Sequence, residues 1–253
     1  MKENFNSDIC VQQLREVGVT SEDLVLVHSE VGPVPLAQVL AFFSGIQKAV
    51  SPNGTVVFPN FNFDFCKGVP FNYKTTPSHM GLLTELARRD SQAKRIYHPV
   101  YSFSLFGARA QELSQIKNIS AYAEDSFFGE LRRSRGKILL LNIPFQRSMT
   151  FFHHMEEVLG CDYRYMKDFT GEIIDQNGKS SVKTYKIYVR DLDRGVVTSL
   201  EPIEKRLGDS GVVKKGQVGP WPVKLMDAQE VFNVTKDILK EEPHILMRFE
   251  NKN

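Results

Sequence analysis

The 253-residue chain is 42% hydrophobic and 25% charged, and its 32 basic and 30 acidic residues leave a formal charge of +2. This is the balance of a soluble globular protein with a substantial core. It excludes a disordered chain, a nucleic-acid coat and a protein held at a membrane by charge. Three dispersed cysteines (Cys10, Cys66, Cys161) make neither a disulfide framework nor a C-x-x-C pair. There is no apolar signal core and no run of about 18 apolar residues, so a cytoplasmic protein with no membrane span is expected. Dinucleotide-binding G-x-G-x-x-G, phosphate-loop, H-E-x-x-H and G-x-S-x-G motifs are all absent.

In chain order, Ser7 is positioned to cap a first helix that Gly18 stops. LVLVH, residues 24–28, has the length and apolarity of a buried strand, and a helix is expected over 36–50. Ser51-Pro52-Asn53-Gly54 reads as a turn, followed by a second buried strand, TVVFP. Ser78 is expected to cap a helix carrying Leu82, Leu83 and Leu86. YSFSLFG alternates as a strand does, and KILLLN, residues 137–142, is the clearest buried strand, with a helix after it over 149–159. Around 170–190 the pattern becomes that of an antiparallel hairpin turning at Asn177-Gly178. A long helix over 227–241 stops before Pro243. Strands that are apolar throughout and alternate with helices predict an α/β fold, a three-layer αβα sandwich around a mainly parallel mixed sheet, with the hairpin added after about residue 170. No linker or repeat divides the chain, so one domain over 1–253 is expected.

The densest cluster of catalytic side-chain types is TFFHHMEE, residues 150–157, directly after the KILLLN strand and its loop. Ligands of open α/β sheets sit at the carboxyl ends of strands, which favours this position. His153 with Glu156, and His154 with Glu157, are each three apart and adjacent on a helix surface. A carboxylate beside an imidazole fixes its tautomer and stabilises the protonated ring, as a general base requires. The pairs flank an apolar stripe of Phe151, Phe152, Met155, Val158 and Leu159 almost symmetrically, so periodicity does not choose between them. A solvated polar face with incidental ion pairing fits the pattern equally well.

These segments together resemble the aminoglycoside 3-N-acetyltransferases, a family of acetyl-CoA-dependent antibiotic acetyltransferases. LVLVHS is similar to the family's first strand and His-Ser loop, SPNGTVVFPNF to its Gly-Thr-x-x-x-Pro strand, and TPSHMGLLTELARR to its Thr-Pro-Ser-x-x-Gly helix start. YHPVYSFSLFG resembles its His-Pro-x-x-Ser segment, and TFFHHMEE carries its Thr-x-x-His-x-x-Glu. The segment LGDSGVVKKGQVGPWPVKLMDAQEVF is similar to its closing part. The resemblance implies transfer of acetyl from acetyl-CoA to a primary amine of a sugar. It also implies His153 as general base and Glu156 as its orienting carboxylate, with no metal. It further implies acetyl-CoA contacts from His28 and Ser29, from Thr76, Pro77 and Ser78, and from His98 and Ser102 beside the thioester. Amides at the Thr76-Pro77-Ser78 helix start are also a natural phosphate site on physical grounds.

The chain departs from the family where His-Ser-Ser-Leu-Ser is usual, reading His28-Ser29-Glu30-Val31-Gly32. Two hydroxyls are lost, and Glu30 adds a charge that repels phosphate. A polycationic acceptor calls for a carboxylate wall, and Asp64, Asp168 and Glu172, with Asp162, are the candidates. The slight basic balance tilts the expectation instead to an amino sugar, nucleotide-linked and bound for a surface polysaccharide. Its phosphates would meet Arg132, Arg133 or Lys214. Antibiotic resistance with an aminoglycoside acceptor is the alternative, and a non-catalytic binding protein of the same fold is the third reading.

Overall fold

The computed structural model describes residues 5–250. In chain order it contains α1 (Ser7–Val17), β1 (Leu24–Ser29), α2 (Leu36–Val50), β2 (Thr55–Pro59), β3 (Phe71–Asn72), α3 (Leu82–Arg89), β4 (Lys94–Ile96) and β5 (Phe103–Gly107). These are followed by α4 (Ala110–Leu113), α5 (Phe127–Arg133), β6 (Lys137–Leu141), α6 (Phe145–Ser148), α7 (Phe151–Leu159), β7 (Arg164–Ile174) and β8 (Ser180–Arg190). The chain then forms β9 (Val196–Thr198), α8 (Glu201–Asp209), β10 (Lys214–Val218), β11 (Trp221–Asp227), α9 (Ala228–Glu241) and β12 (Met247–Phe249).

Seven strands form the main sheet in the order β10-β11-β6-β1-β2-β5-β4. The two strongest apolar runs, LVLVH and KILLL, lie side by side and parallel at its centre, and β2 joins β1 in the same sense. Parallel pairing ends with these three. β5 and β4 on one side, and β11 and β10 on the other, add in antiparallel fashion. The sheet is mixed as expected, but its parallel part is confined to the middle. There strands are buried on both faces and helical crossovers link them.

The strand period of two sorts the core. Leu24, Leu26, Ile138, Leu140, Val57, Phe103 and Leu105 face one layer, which includes α5, α7, α8 and α9. Val25, Val27, Leu139, Leu141, Val56 and Phe58 face the other, which includes α1, α2 and α3. His28 has the parity of Leu24 and Leu26 and so points to the layer that contains α7.

Two helix starts differ from expectation. Asn6, not Ser7, caps α1: it is extended, at φ −135° and ψ 177°, and its Oδ1 accepts from the amides of Asp8 and Ile9. Ser78 does not open α3. The helix begins at Leu82, after Gly81 at φ 96°, in the positive-φ region that glycine tolerates best. The hairpin is longer than expected and begins at Arg164, pairing along its whole length through Ile174 opposite Ser180. Asp227 caps α9 by accepting from the amides of Gln229 and Glu230. Among the described residues no helix is long and apolar enough to cross a membrane.

Candidate active site

Helix α7 follows β6 through the short α6 and buries Phe151, Phe152 and Met155 in the core. That anchoring turns its two polar flanks in different directions, and the two His–Glu pairs become unlike. On one flank His153 Nδ1 lies 2.7 Å from Glu156 Oε2. The carboxylate is 2% exposed and the imidazole 22%, so the carboxylate is interior and the imidazole is partly open. On the other flank no pair forms. His154 is fully buried, with Nδ1 2.6 Å from the Tyr122 carbonyl, and Glu157 accepts from the Ser120 hydroxyl. Tertiary contacts thus decide which of the two His–Glu pairs forms.

A third group completes the first pair. Arg164, at the start of β7, places Nε 2.7 Å from the same Oε2 of Glu156, and its side chain is 4% exposed. Its Nη1 donates to the Tyr188 carbonyl, and Nη2 is 3.0 Å from His153 Nδ1. Burial works to raise the Glu156 carboxyl, but the hydrogen bond from His153 and the charge of Arg164 outweigh it, leaving it below the usual carboxylate range. His153 is lowered from its ordinary value by burial first and by Arg164 second, with Glu156 pulling the other way. His153 Nδ1 thus faces both Glu156 Oε2 and Arg164 Nη2, and which of the two it bonds sets the tautomer of the ring. Nothing in the sequence marks Arg164. What was legible is only that a buried carboxylate needs more than one donor.

An aromatic path runs from this dyad to the end of β1. The His153 ring lies 5.3 Å from Tyr122, Tyr122 4.9 Å from Tyr101, Tyr101 4.8 Å from Phe61, and Phe61 6.4 Å from His28. His28 is 5% exposed, and burial pushes it down to about 4, so it is neutral. Its Nε2 is buried without a partner among the described residues, an unmet polar atom at the carboxyl end of a central strand. Beside it, Ser29 is partly exposed and Glu30 is paired with Arg147, whose Nη2 donates to the carboxylate.

The remaining expected residues separate. Thr76 Oγ1 accepts from the Asn72 amide, the Pro77 carbonyl from Asn62, and the Ser78 amide donates to Glu85. A carboxylate thus already engages the Ser78 amide, and no helix starts there to supply further free N–H groups. His98 is fully buried and Ser102 is 1% exposed. His98 Nδ1 accepts from the amides of Val100 and Tyr101, and the Ser102 hydroxyl donates to the Asn60 carbonyl. Both hold the loop that carries Tyr101 and expose little surface of their own.

The carboxylates expected to line an acceptor each have a partner nearby. Asp64 lies 3.3 Å from Lys67 and 3.5 Å from His79, and Asp168 lies 3.5 Å from Lys186. Glu172 accepts from Ser180, and Asp162 lies 2.9 Å from His244. Asp168 and Glu172 share the face of β7 opposite to Gly171, which packs on Phe65. Two of the three cations expected to meet phosphates are also engaged within the protein. Arg132 pairs with Glu124 and lies 4.2 Å over the Phe232 ring, and Arg133 pairs with Glu130. A cleft of about 1110 Å³ lies away from the dyad, beside β4 and the β7–β8 hairpin, and is lined by Lys94, Arg95, Lys117, Lys179 and Lys183 among others.

Comparison with known proteins yields one consistent pattern. A family model described as aminoglycoside 3-N-acetyltransferase matches residues 26–240. The curated SPbeta prophage-derived aminoglycoside N(3')-acetyltransferase-like protein YokD of Bacillus subtilis (strain 168) is 27% identical over 203 residues, 69% of this chain and 72% of that protein. Among solved structures, AAC-IIIb in binary complex with CoASH superposes with a TM-score of 0.78 at 21% identity, covering 94% of this chain and 97% of that one. AAC-VIa bound to sisomicin superposes with a TM-score of 0.77 at 21% identity, covering 94% and 98%. At such identities the superpositions speak for the fold.

Proposed function

The chain belongs to the aminoglycoside 3-N-acetyltransferase family, acetyl-CoA-dependent N-acetyltransferases, and from that premise we propose that His153 is its general base and Glu156 the carboxylate that orients it, with an aminoglycoside amine as acceptor. The observation that carries this reading is the 2.7 Å contact between His153 Nδ1 and Glu156 Oε2, made by one of two candidate pairs and not by the other. With Nδ1–H held by the carboxylate, Nε2 is the free basic atom. An amine in water at neutral pH is mostly protonated and must lose a proton to attack a carbonyl. Nε2 takes the ammonium proton first, which frees the nitrogen lone pair to bond to the acetyl carbon. The carbon–sulfur bond breaks, the acetyl group stays on nitrogen, the departing thiolate takes the second proton lost by the nitrogen, and the imidazolium releases its own to solvent. Glu156 stabilises the imidazolium while it lasts.

His28 and Ser29 are the residues proposed to meet the thioester-bearing arm of acetyl-CoA. The unpartnered His28 Nε2 supports this, as a buried polar atom is favoured when a ligand completes it. For the acceptor, the aminoglycoside reading gains from the AAC-VIa–sisomicin relative. The nucleotide-linked sugar reading loses two of its expected contacts, because Arg132 and Arg133 are tied to Glu124 and Glu130. Release of free CoA thiol from acetyl-CoA, followed against aminoglycosides and nucleotide-linked amino sugars, tests the proposal. Turnover with the former is expected. Turnover only with the latter overturns the acceptor, and no turnover with any amine overturns the catalytic role.

A further inference from the structure

One oxygen of the Glu156 carboxylate has a hydrogen-bonding neighbour and an ion-pair partner. His153 Nδ1 and Arg164 Nε both lie 2.7 Å from Oε2, and Arg164 Nη2 lies 3.0 Å from Nδ1, closing a triangle of three side chains. The guanidinium is a rigid planar fork anchored elsewhere, because Nη1 donates to the Tyr188 backbone carbonyl at 3.0 Å. Two of the three groups are nearly sealed from water, at 2% for Glu156 and 4% for Arg164. An unpaired carboxylate at that depth would be costly, and it would also draw a proton onto the imidazole beside it.

We propose that Arg164 is a positioning residue of the dyad: it clamps Glu156 so that the carboxylate accepts the Nδ1 proton of His153, and its charge keeps the imidazole neutral, with Nε2 unprotonated, until an amine arrives. Two arrangements of the triangle compete. In one, Glu156 accepts from Nδ1–H and the guanidinium compensates the carboxylate. In the other, Nδ1 accepts from Nη2–H and the ring proton moves to Nε2, which destroys the base. The first is favoured because an ionised Glu156, 2.7 Å from Nδ1 and ion-paired with Arg164, is a far better acceptor than a neutral imidazole nitrogen.

The charged and titratable groups facing His153 from the elements around it are few. Glu156 lies on α7, Arg164 on β7, Arg190 opposite Arg164 on β8, and Tyr122 against the ring, with Tyr101 behind it. Burial pushes both of these tyrosines up, along with Cys161, Tyr163 and Tyr188 around Glu156, so all five are neutral near pH 7. Of the two arginines only Arg164 touches the carboxylate. The clamp rests on His153 being the base, but its test needs neither substrate.

The His153 imidazole is followed by nitrogen-15 NMR in the substrate-free protein. In the native protein at pH 7 to 8, Nδ1 is expected to carry the proton and Nε2 to be bare; a proton on Nε2 overturns the proposal without any variant. In Arg164→Gln the His153 pKa is expected to rise by about one unit or more, whereas Arg190→Gln moves it less. The conservative Arg164→Lys, which keeps the charge and loses the fork, returns the pKa towards native while leaving a population of the wrong tautomer. An unchanged His153 pKa in a folded Arg164→Gln protein overturns the clamp, whatever its turnover. Loss of turnover with the native tautomer and titration intact counts against the acceptor or donor reading instead.

Discussion

Arg147, in the last turn of α6, donates to the carboxylate of Glu30, the residue that stands where the family usually has serine. The Glu30 backbone is fixed as well. Its amide donates to the Leu141 carbonyl and its own carbonyl accepts from Asn142, which lies at φ 51° just beyond β6. The loop after β1 is therefore tied to the end of β6 by both main chain and side chain, and α7 starts only a few residues further on. The ion pair is half exposed, so its own contribution to stability is under about 1 kcal/mol. Its effect is on where the negative charge lies. Arg147→Ala is expected to release Glu30 towards the acetyl-CoA phosphates and raise KM for acetyl-CoA several-fold with kcat little changed. Glu30→Ser in the same protein should restore it. An unchanged KM in Arg147→Ala would place Glu30 away from the acetyl-CoA path.

The two glutamates of α7 are expected to respond very differently. Glu156→Gln leaves the dyad with an acceptor that carries no charge and leaves Arg164 without its partner. A loss of about 10²–10⁴ in kcat is expected, the range for a positioned general base and its orienting carboxylate. Among the described residues Glu157 accepts only from Ser120, so Glu157→Gln should stay within about twofold of native. Steady-state kinetics of the pair decide it, and equal losses would contradict the assignment of the dyad.

Acid should destabilise the fold well above the carboxylate range. Burial holds His28 and His154 at about 4 and His98 at about 3, against about 6.5 in an unfolded chain. Between those values the unfolded state binds up to three more protons than the folded state, so unfolding is favoured as pH falls. The stability of these neutral imidazoles is complete above about pH 6.5 and is lost on the way down to about pH 4. The slope approaches about 4 kcal/mol per pH unit when all three contribute. Urea unfolding at pH 7 and pH 5 measures this directly, and equal midpoints at the two values would show that the histidines are not buried neutral.

His98 is expected to act on structure. Its Nδ1 closes a turn by accepting from the Val100 and Tyr101 amides, and its ring packs 4.8 Å from Tyr185. Asparagine can supply an equivalent acceptor but not the ring. His98→Asn should therefore cost a few kcal/mol in chemical denaturation, as large-to-small core changes do, with kcat within a few-fold of native. A folded, fully stable His98→Asn protein with turnover abolished would instead make His98 a group that touches the thioester.

How far the sequence could be read varies with the reach of the forces involved. LVLVH, TVVFP and KILLLN announce themselves as buried strands because each is apolar on both faces, and Leu36–Val50 is found as expected. The β10–β11 hairpin was not legible: KKGQVGPWPVKL is polar along its outer strand and is recruited to the sheet by pairing with β6. The cap at Asn6 and the late start of α3 turn on a residue or two of local backbone geometry, which spacing does not fix. At the site, residue types and the family resemblance point to His153 and Glu156, but the separation of the two His–Glu pairs needed Tyr122 and Ser120, some thirty residues earlier in the chain. Arg164 was missed for the same reason, since its role exists only once β7 returns alongside α7.

Removal of the attacking amine's proton by His153 Nε2 is tested most directly by thiol release from acetyl-CoA with an aminoglycoside acceptor, comparing the native protein with His153→Ala across pH 6 to 9, while calorimetry follows acetyl-CoA binding to both. His153→Ala is expected to bind acetyl-CoA as the native protein does and to lose kcat by about 10² or more at neutral pH. The deficit should narrow at high pH, where the amine deprotonates without help. A folded His153→Ala protein with native kcat at pH 7 would contradict the assignment of His153 as base.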